Sequence, residues 1–446
     1  MSASASGAAR PPSHPTGRDA LADRIGLGAA LLVPLFLLHA RSLADAAMVV
    51  TGLAFLAASA LRTGRGGWDW ARRGWVPLAL VWWGWLVLCS IPAPSLGLGA
   101  GGWPAFAQAV VVIRLLVFAA ALEHWVLVRD GPRRAMAAII SACAAYIAVQ
   151  ALWQFAFGVN WYGERPGRAG ELTGPFERPR AGPVLARILP PALLPAVAAL
   201  LAARRPAATV AAYALPLGGV AVMVLISQRM PLVLTAFGLA VAALLLPRLR
   251  PAALLAGLAG AGLVAVSFAV SPATWRRVVV QFSHQLASFG TSQYGFFYRR
   301  ALVMAHAHPI FGRGFDGFRT GCMLKIYDPA GLAAEQARLG ITEVCAPHPH
   351  NFYVQALTDG GWPGLVLFSL LAGWWLVAVS RGMWRARPDP LQVGLFVAVL
   401  IQLWPLASTP GFFTVPLAGW FFLLLGWALA VARAGQAASA AARTGV

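Results

Sequence analysis

Residues 105–128 read AFAQAVVVIRLLVFAAALEHWVLV. A helix rises 1.5 Å per residue and bilayer hydrocarbon is about 30 Å thick, so roughly 20 apolar residues in a row can cross it. This block is long enough. Similar blocks stand at about 25–40, 45–61, 75–92, 134–157, 182–202, 207–227, 231–247, 252–270, 361–379, 391–407 and 413–432. Composition agrees, since 59% of the 446 residues are hydrophobic and 11% are charged. A water-exposed domain carries about 25% charged residues. The chain is therefore expected to be an all-α polytopic membrane protein with about 12 transmembrane helices, not a set of soluble domains.

Basic residues orient it. Arginines cluster in the short connections at 62–73, 129–134, 204–205, 248–250 and 381–387, and again at 433–443. These segments fall on one side, so both termini are expected in the cytoplasm of a bacterial cell. The opposite side holds the connections at 93–104 and 408–412 and two longer loops. The chain then divides into a disordered cytoplasmic arm at 1–24 and helices 1–9 over 25–270, with a periplasmic loop at 158–181. A large periplasmic loop at 271–360 follows, then helices 10–12 over 361–432 and a cytoplasmic tail at 433–446. The expected location is the inner membrane. The net charge of +20 calls for no nucleic acid, because cytoplasmic arginines anchor against anionic membrane lipids.

Arginines on the other face need a separate reason. Arg165, Arg168, Arg178 and Arg180 share one loop; Arg276, Arg277, Arg299, Arg300, Arg313, Arg319 and Arg338 share the other. Arg276, Arg277 and Arg338 are read as a solvated surface, and some of the rest as a pool facing an anionic lipid carrier. Three arginines lie in or at the edge of spans, where insertion costs about 2.5–3.5 kcal/mol and function is the default reading. Arg114 is roughly 13 Å deep in its span. Arg187 precedes the kinking pair Pro190–Pro191, and Arg229 sits in the break Ser227-Gln228-Arg229-Met230-Pro231.

In the large loop, Tyr298 to Ala305 has helical character and ends in a turn from His308 to Phe315. The chain returns through Pro347-His348-Pro349-His350-Asn351 straight into a span, which puts His350 where loop meets helix. His306 and His308 with His348 and His350 form two His-x-His pairs, a pattern that can hold a transition metal. No carboxylates or cysteines converge with them, so no metal is expected. Cys322 and Cys345 share this loop in an oxidising compartment and are disulfide candidates; two unrelated thiols is the alternative.

His350-Asn351, nine residues, then Gly361-Trp362-Pro363-Gly364 resembles the histidine motif of the O-antigen ligase family, also called the Wzy C-terminal type. The approach from Arg299-Arg300 through Pro309, Gly312, Gly314 and Phe315 is similar to the family's sequence ahead of that motif. Ser227-Gln228-Arg229 and Gly174-Pro175-Phe176 resemble further family elements, so the likeness spans roughly 170–375. Leu365 and Glu177-Arg178-Pro179-Arg180 depart from the pattern. The resemblance implies a GT-C-like membrane glycosyltransferase without metal or other cofactor. Its donor would be a glycan on undecaprenyl diphosphate, and its acceptor foremost lipid A-core. His350 would be the general base and Arg229 the principal diphosphate ligand, joined by Arg187, Arg299, Arg114 and Arg300. Asn351, Gly361, Gly364, His348, Gly312 and Gly314 would support them, and His348 and His350 could exchange roles. A Wzy-type polymerase, or a protein O-oligosaccharyltransferase, would share these residues and differ in the acceptor. A lipid-linked glycan transporter is the alternative of another class; the sequence lacks the internal repeat common in transporters.

Overall fold

The computed structural model describes residues 17–61, 65–167, 169–328, 331–341, 345–384, 388–409, 411–415 and 417–444. The arm to residue 16, Arg168 and part of the 381–387 connection lie outside the described residues. Among the described residues there are helices and no strands. Nine helices are long and apolar enough to cross a membrane and three more are apolar but shorter. In chain order they are α1 (Gly17–His39), α2 (Arg41–Leu61), α3 (Val76–Ser90), α4 (Gly102–Val126), α5 (Asp130–Phe157) and α6 (Ala181–Ala202). Then come α7 (Pro206–Ile226), α8 (Arg229–Leu245), α9 (Arg250–Val270), α10 (Phe352–Ser380), α11 (Pro390–Leu403) and α12 (Leu417–Thr444). A helix stands at each of the twelve expected spans, and nine of these helices are long and apolar enough to cross. The chain is a polytopic all-α membrane protein.

Several boundaries differ by a few residues, and three shifts are larger. α1 already begins at Gly17, so residues 17–24, expected in a disordered arm, are helical. Trp125 of α4 donates to Asp23 Oδ1 at 2.6 Å and pins that first stretch. α12 continues to Thr444 because 434–444, AGQAASAAART, is rich in alanine, the strongest helix former. α10 begins at Phe352, well ahead of the apolar run that marks it in sequence.

α12 is the axis of the bundle. It packs against α4, α10 and α11, and Trp420, Phe421, Phe422 and Trp427 are fully buried. Lipid tails are as apolar as these side chains, so close packing holds this core together more than the hydrophobic effect does.

α10 breaks in its interior. Gly361 takes φ 65° and ψ −165°, a region open essentially to glycine alone. The loop crosses at this break, where Arg313 N donates to Thr358 O (2.8 Å), Gly314 N to Asp359 O (2.9 Å) and Trp362 N to Pro309 O (2.8 Å). Trp85 Nε1 donates to the Gly360 carbonyl at 2.8 Å. A Cβ on Gly361 would lie 2.3 Å from Ile310 O, and one on Gly312 would lie 2.6 Å from the Asp359 carbonyl carbon. The two glycines thus permit a backbone-to-backbone crossing. Gly314, next to Ser90, and Gly364, next to Ala356 O, flank it. Gly361→Ala should destabilise the protein by about 3 kcal/mol, from the forbidden dihedrals and the clash. Thermal unfolding of the purified variant checks this against Gly373→Ala, a site on the same helix with open space around it. Equal melting of the two variants would show that the crossing tolerates a side chain.

Beyond the bundle the large loop has its own small core of Phe297, Ala301, Met304, Phe318, Cys322, Tyr327 and Ala346. Cys322 and Cys345 are joined in a disulfide. Its main helix, Gln293–Ala307, is capped by Ser292, whose side chain accepts from Gly295 N.

Candidate active site

The entry to α10 is fixed by a cap. Asn351 Oδ1 accepts from Tyr353 N (2.9 Å) and Val354 N (3.1 Å), and its Nδ2 donates to Pro405 O (2.6 Å). His350, just ahead, has φ 58°, a left-handed conformation that histidine tolerates better than most residues. Three bonds tie the 403–412 stretch alongside it. Thr409 N donates to His350 O (2.8 Å), Tyr353 Oη to Leu403 O (2.7 Å), and Phe412 N to Gln355 Oε1 (2.8 Å). Thr409 is thereby held beside His350.

The imidazole of His350 is boxed by rings. Phe297 lies nearly parallel at 6.0 Å between centroids, Tyr294 meets it edge-on at 5.1 Å, and His348 is 4.5 Å away. Phe297 and Tyr294 stand three residues apart on the loop helix, which is why that helix must approach α10. Burial pushes His350 down to about 4. Burial, then the His350 and Arg319 charges, push His348 down to about 3. Both rings are neutral at pH 7, so each can accept a proton. Each is also a weaker base than the sequence led us to expect from a pKa near 6.5.

Unpaired polar atoms collect nearby. Among the described residues Arg187 Nη1, Gln228 Oε1, Arg277 Nη1, His348 Nε2 and Thr409 Oγ1 are buried without a hydrogen-bond partner. Arg187, 5% exposed, and Thr409 line one cavity with Met230, Pro231 and Gln402. A Cβ on Gly182, at the head of α6, would meet Gln228 Oε1, and one on Gly411 would lie 3.4 Å from His348 Cβ. Each unmade buried bond costs about 1–3 kcal/mol. Two on the wall of one cavity, Arg187 Nη1 and Thr409 Oγ1, mark a place built for a polar partner.

Arg229 opens α8 on the same side and donates to Gln285 Oε1 at 2.9 Å. Close to it lies Arg277, which is 6% exposed and paired with Glu171 at 2.9 Å. Burial lowers Arg277, Glu171 opposes that shift, and Arg229 adds to it. Arg277, read from the sequence as solvated surface, is therefore buried, beside Glu171 and Arg229. Gln402, Ser408 and Thr409 were missed altogether. Gln402 did leave a signal, a polar residue inside an apolar span.

In comparison with protein families, residues 211–369 match a model described as O-antigen ligase. The chain carries an O-antigen ligase domain. Comparison with curated proteins returns no match. The matched stretch runs from α7 into α10, so it includes Arg229, Arg299, Arg300, Gly312, Gly314, His350 and Gly361. Arg187 and Thr409 lie outside it. An O-antigen ligase domain in a multi-pass helical bundle marks a membrane protein of the ligase/polymerase type, with glycan and lipid substrates.

Three arginines expected at the diphosphate have partners of their own. Arg114 is paired with Asp45 of α2 at 2.9 Å, which compensates its charge inside the span. Arg299 is paired with Glu335 at 3.0 Å and lies over the Phe296 ring. Arg300, 2% exposed, donates to Cys322 O (2.7 Å) and to Asp328 Oδ1 (3.1 Å), so it holds the loop core together beside the disulfide. A buried guanidinium requires such partners, and these bonds give Arg300 a structural role in the loop core, although among the described residues its Nε stays buried without a partner. The two His-x-His pairs also separate: His306 bonds to Leu302 O and His308 to Tyr327 Oη.

Proposed function

We propose that this protein transfers a glycan from undecaprenyl diphosphate to an acceptor hydroxyl, joining O-antigen to lipid A-core on the periplasmic face of the inner membrane. The observation that carries the reading is the cavity shared by Arg187 and Thr409. There a buried guanidinium with an unmade bond faces the strand of chain that holds His350. Arg187 and Arg229, with Arg277 behind them, bind the diphosphate, since a guanidinium fork offers two parallel donors to phosphate oxygens and keeps its charge. The acceptor oxygen attacks the anomeric carbon and the bond from that carbon to the diphosphate oxygen breaks. The hydroxyl proton passes to His350, and undecaprenyl diphosphate departs with the bonding pair. Donors already in place stabilise the charge that grows on the leaving oxygen. Attack opposite the leaving group inverts the anomeric configuration.

The test is purified protein in lipid nanodiscs, supplied with a carrier-linked glycan and three acceptors: lipid A-core, a second carrier-linked repeat, and a Ser/Thr peptide. Mass analysis should find the glycan on lipid A-core. Growth of the carrier-linked chain instead would make the protein a polymerase, and glycan on the peptide a protein O-oligosaccharyltransferase. No product from any acceptor would overturn the reading. Activity should persist in a chelator, and rescue by added metal would reopen a metal mechanism.

A further inference from the structure

The corner between α1 and α2 packs against the 158–181 loop. The His39 ring lies 5.4 Å from Tyr162, 5.8 Å from Tyr146 and 6.4 Å from Phe176. His39 Nε2 is bonded to Tyr146 Oη (3.0 Å), and Tyr146 Oη to Tyr162 Oη (2.7 Å). This contact brings Arg41, two residues after His39, toward Arg178 and Arg180, just after Phe176. Arg180 N donates to Arg178 O at 2.7 Å across Pro179, which puts the two residues on one tight bend. The Pro179 carbonyl accepts from Gln228 Nε2 at 2.7 Å, so the bend adjoins the residue before Arg229.

None of these three arginines is in a salt bridge among the described residues. Burial, then the Arg41 and Arg178 charges, lower Arg180, and the Glu177 carboxylate opposes them. Arg180 also stands at the N-terminus of α6, where no side chain caps the helix. Three positive charges against Glu177 leave an excess of two, beside the positive end of a helix. That matches a phosphomonoester, which carries about −1.5 to −2 at pH 7. Beside it Trp161 and Tyr162 are exposed, with Trp161 6.1 Å from Tyr146. Such faces suit the C–H side of a sugar ring.

We propose that Arg41, Arg178 and Arg180 bind a phosphomonoester carried on the sugar of the acceptor, across Gln228 from the diphosphate site. This rests on the glycosyl-transfer reading and adds the acceptor's charge to it. The test uses nanodiscs of zwitterionic lipid and a glycolipid acceptor with one sugar phosphomonoester, before and after phosphatase treatment. Arg178→Gln should raise KM for the phosphorylated acceptor about tenfold, and leave KM for the treated acceptor and for the donor alone. Phosphatase treatment should cost the wild type the same factor. An equal rise with both acceptors, or no rise with either, overturns the proposal. A rise seen only when anionic phospholipid is added to the discs also overturns it, and makes the cluster a headgroup anchor. If no transfer occurs at all, the fault lies with the proposed reaction, and binding decides the site. Anisotropy with a fluorescent soluble sugar phosphomonoester should show about tenfold weaker binding to R178Q, and equal binding sinks it.

Discussion

His350→Ala lowers the turnover of glycan transfer by about 10³-fold while the donor still binds, because a positioned base contributes about 10²–10⁴. The ring sits where its protonation matters, and its removal otherwise costs only its packing against Phe297, Tyr294 and His348. Its backbone, not its imidazole, holds Thr409, and Asn351 caps α10 on its own. The variant should therefore insert and fold, with a modestly lower melting temperature from the lost ring packing. Single-turnover rates with carrier-linked donor, alongside a donor-binding titration, separate the two effects. A variant that keeps wild-type turnover removes the imidazole from the reaction. The pH profile gives a second check. Burial holds the folded pKa at about 4, below the unperturbed 6.5, so the base stays unprotonated until pH falls toward 4. The acid limb of kcat/KM should lie near that value, not near 6.5. Stability follows the same sign. Between about pH 6.5 and 4 the unfolded histidine binds a proton that the folded one refuses, so stability falls with pH across that window and is unaffected above it. His348, held lower still at about 3, adds to the same slope.

The bundle was legible because a span needs roughly 20 apolar residues, and composition alone marks the helices that supply them. Even the three short helices were found, since arginines and prolines bracket them. Partners were not legible. Arg114, Arg299 and Arg300 looked alike in sequence, as basic residues near apolar or motif positions. Asp45, Glu335 and Asp328, which claim them, lie 69, 36 and 28 residues away, and no local pattern ties a cation to so remote a carboxylate. The glycines of the histidine motif could be named but not explained, because their reason is the loop crossing at Gly361. Thr409 gave no signal, as its role comes from bonding to the backbone of His350. Arg187 was legible because a guanidinium inside a span needs a purpose, and among the described residues it lacks the carboxylate that Arg114 has.

That contrast yields the sharpest test of the site. Arg187→Met should abolish transfer, by about 10²–10³-fold in kcat for the loss of one preorganised donor, and should leave the melting temperature unchanged or raised. Met fills nearly the same volume, and Pro183, Ala186, Leu234 and Ile401 offer it apolar wall beside the polar Gln402, Ser408 and Thr409. The native side chain keeps a buried Nη1 unsatisfied, so its removal relieves a penalty instead of creating one; swapping buried charged groups for apolar ones of similar size is often neutral or stabilising. A residue kept only for packing would show the opposite pair of results, a lower melting temperature with turnover retained. Arg187→Lys divides the remaining possibilities, since lysine keeps the charge and loses the fork. If one point charge suffices, K recovers most of the rate; if two parallel donors to phosphate oxygens are required, it stays close to Met. Activity and stability moving in opposite directions at one position is what a site that stores unpaired charge for its substrate must produce.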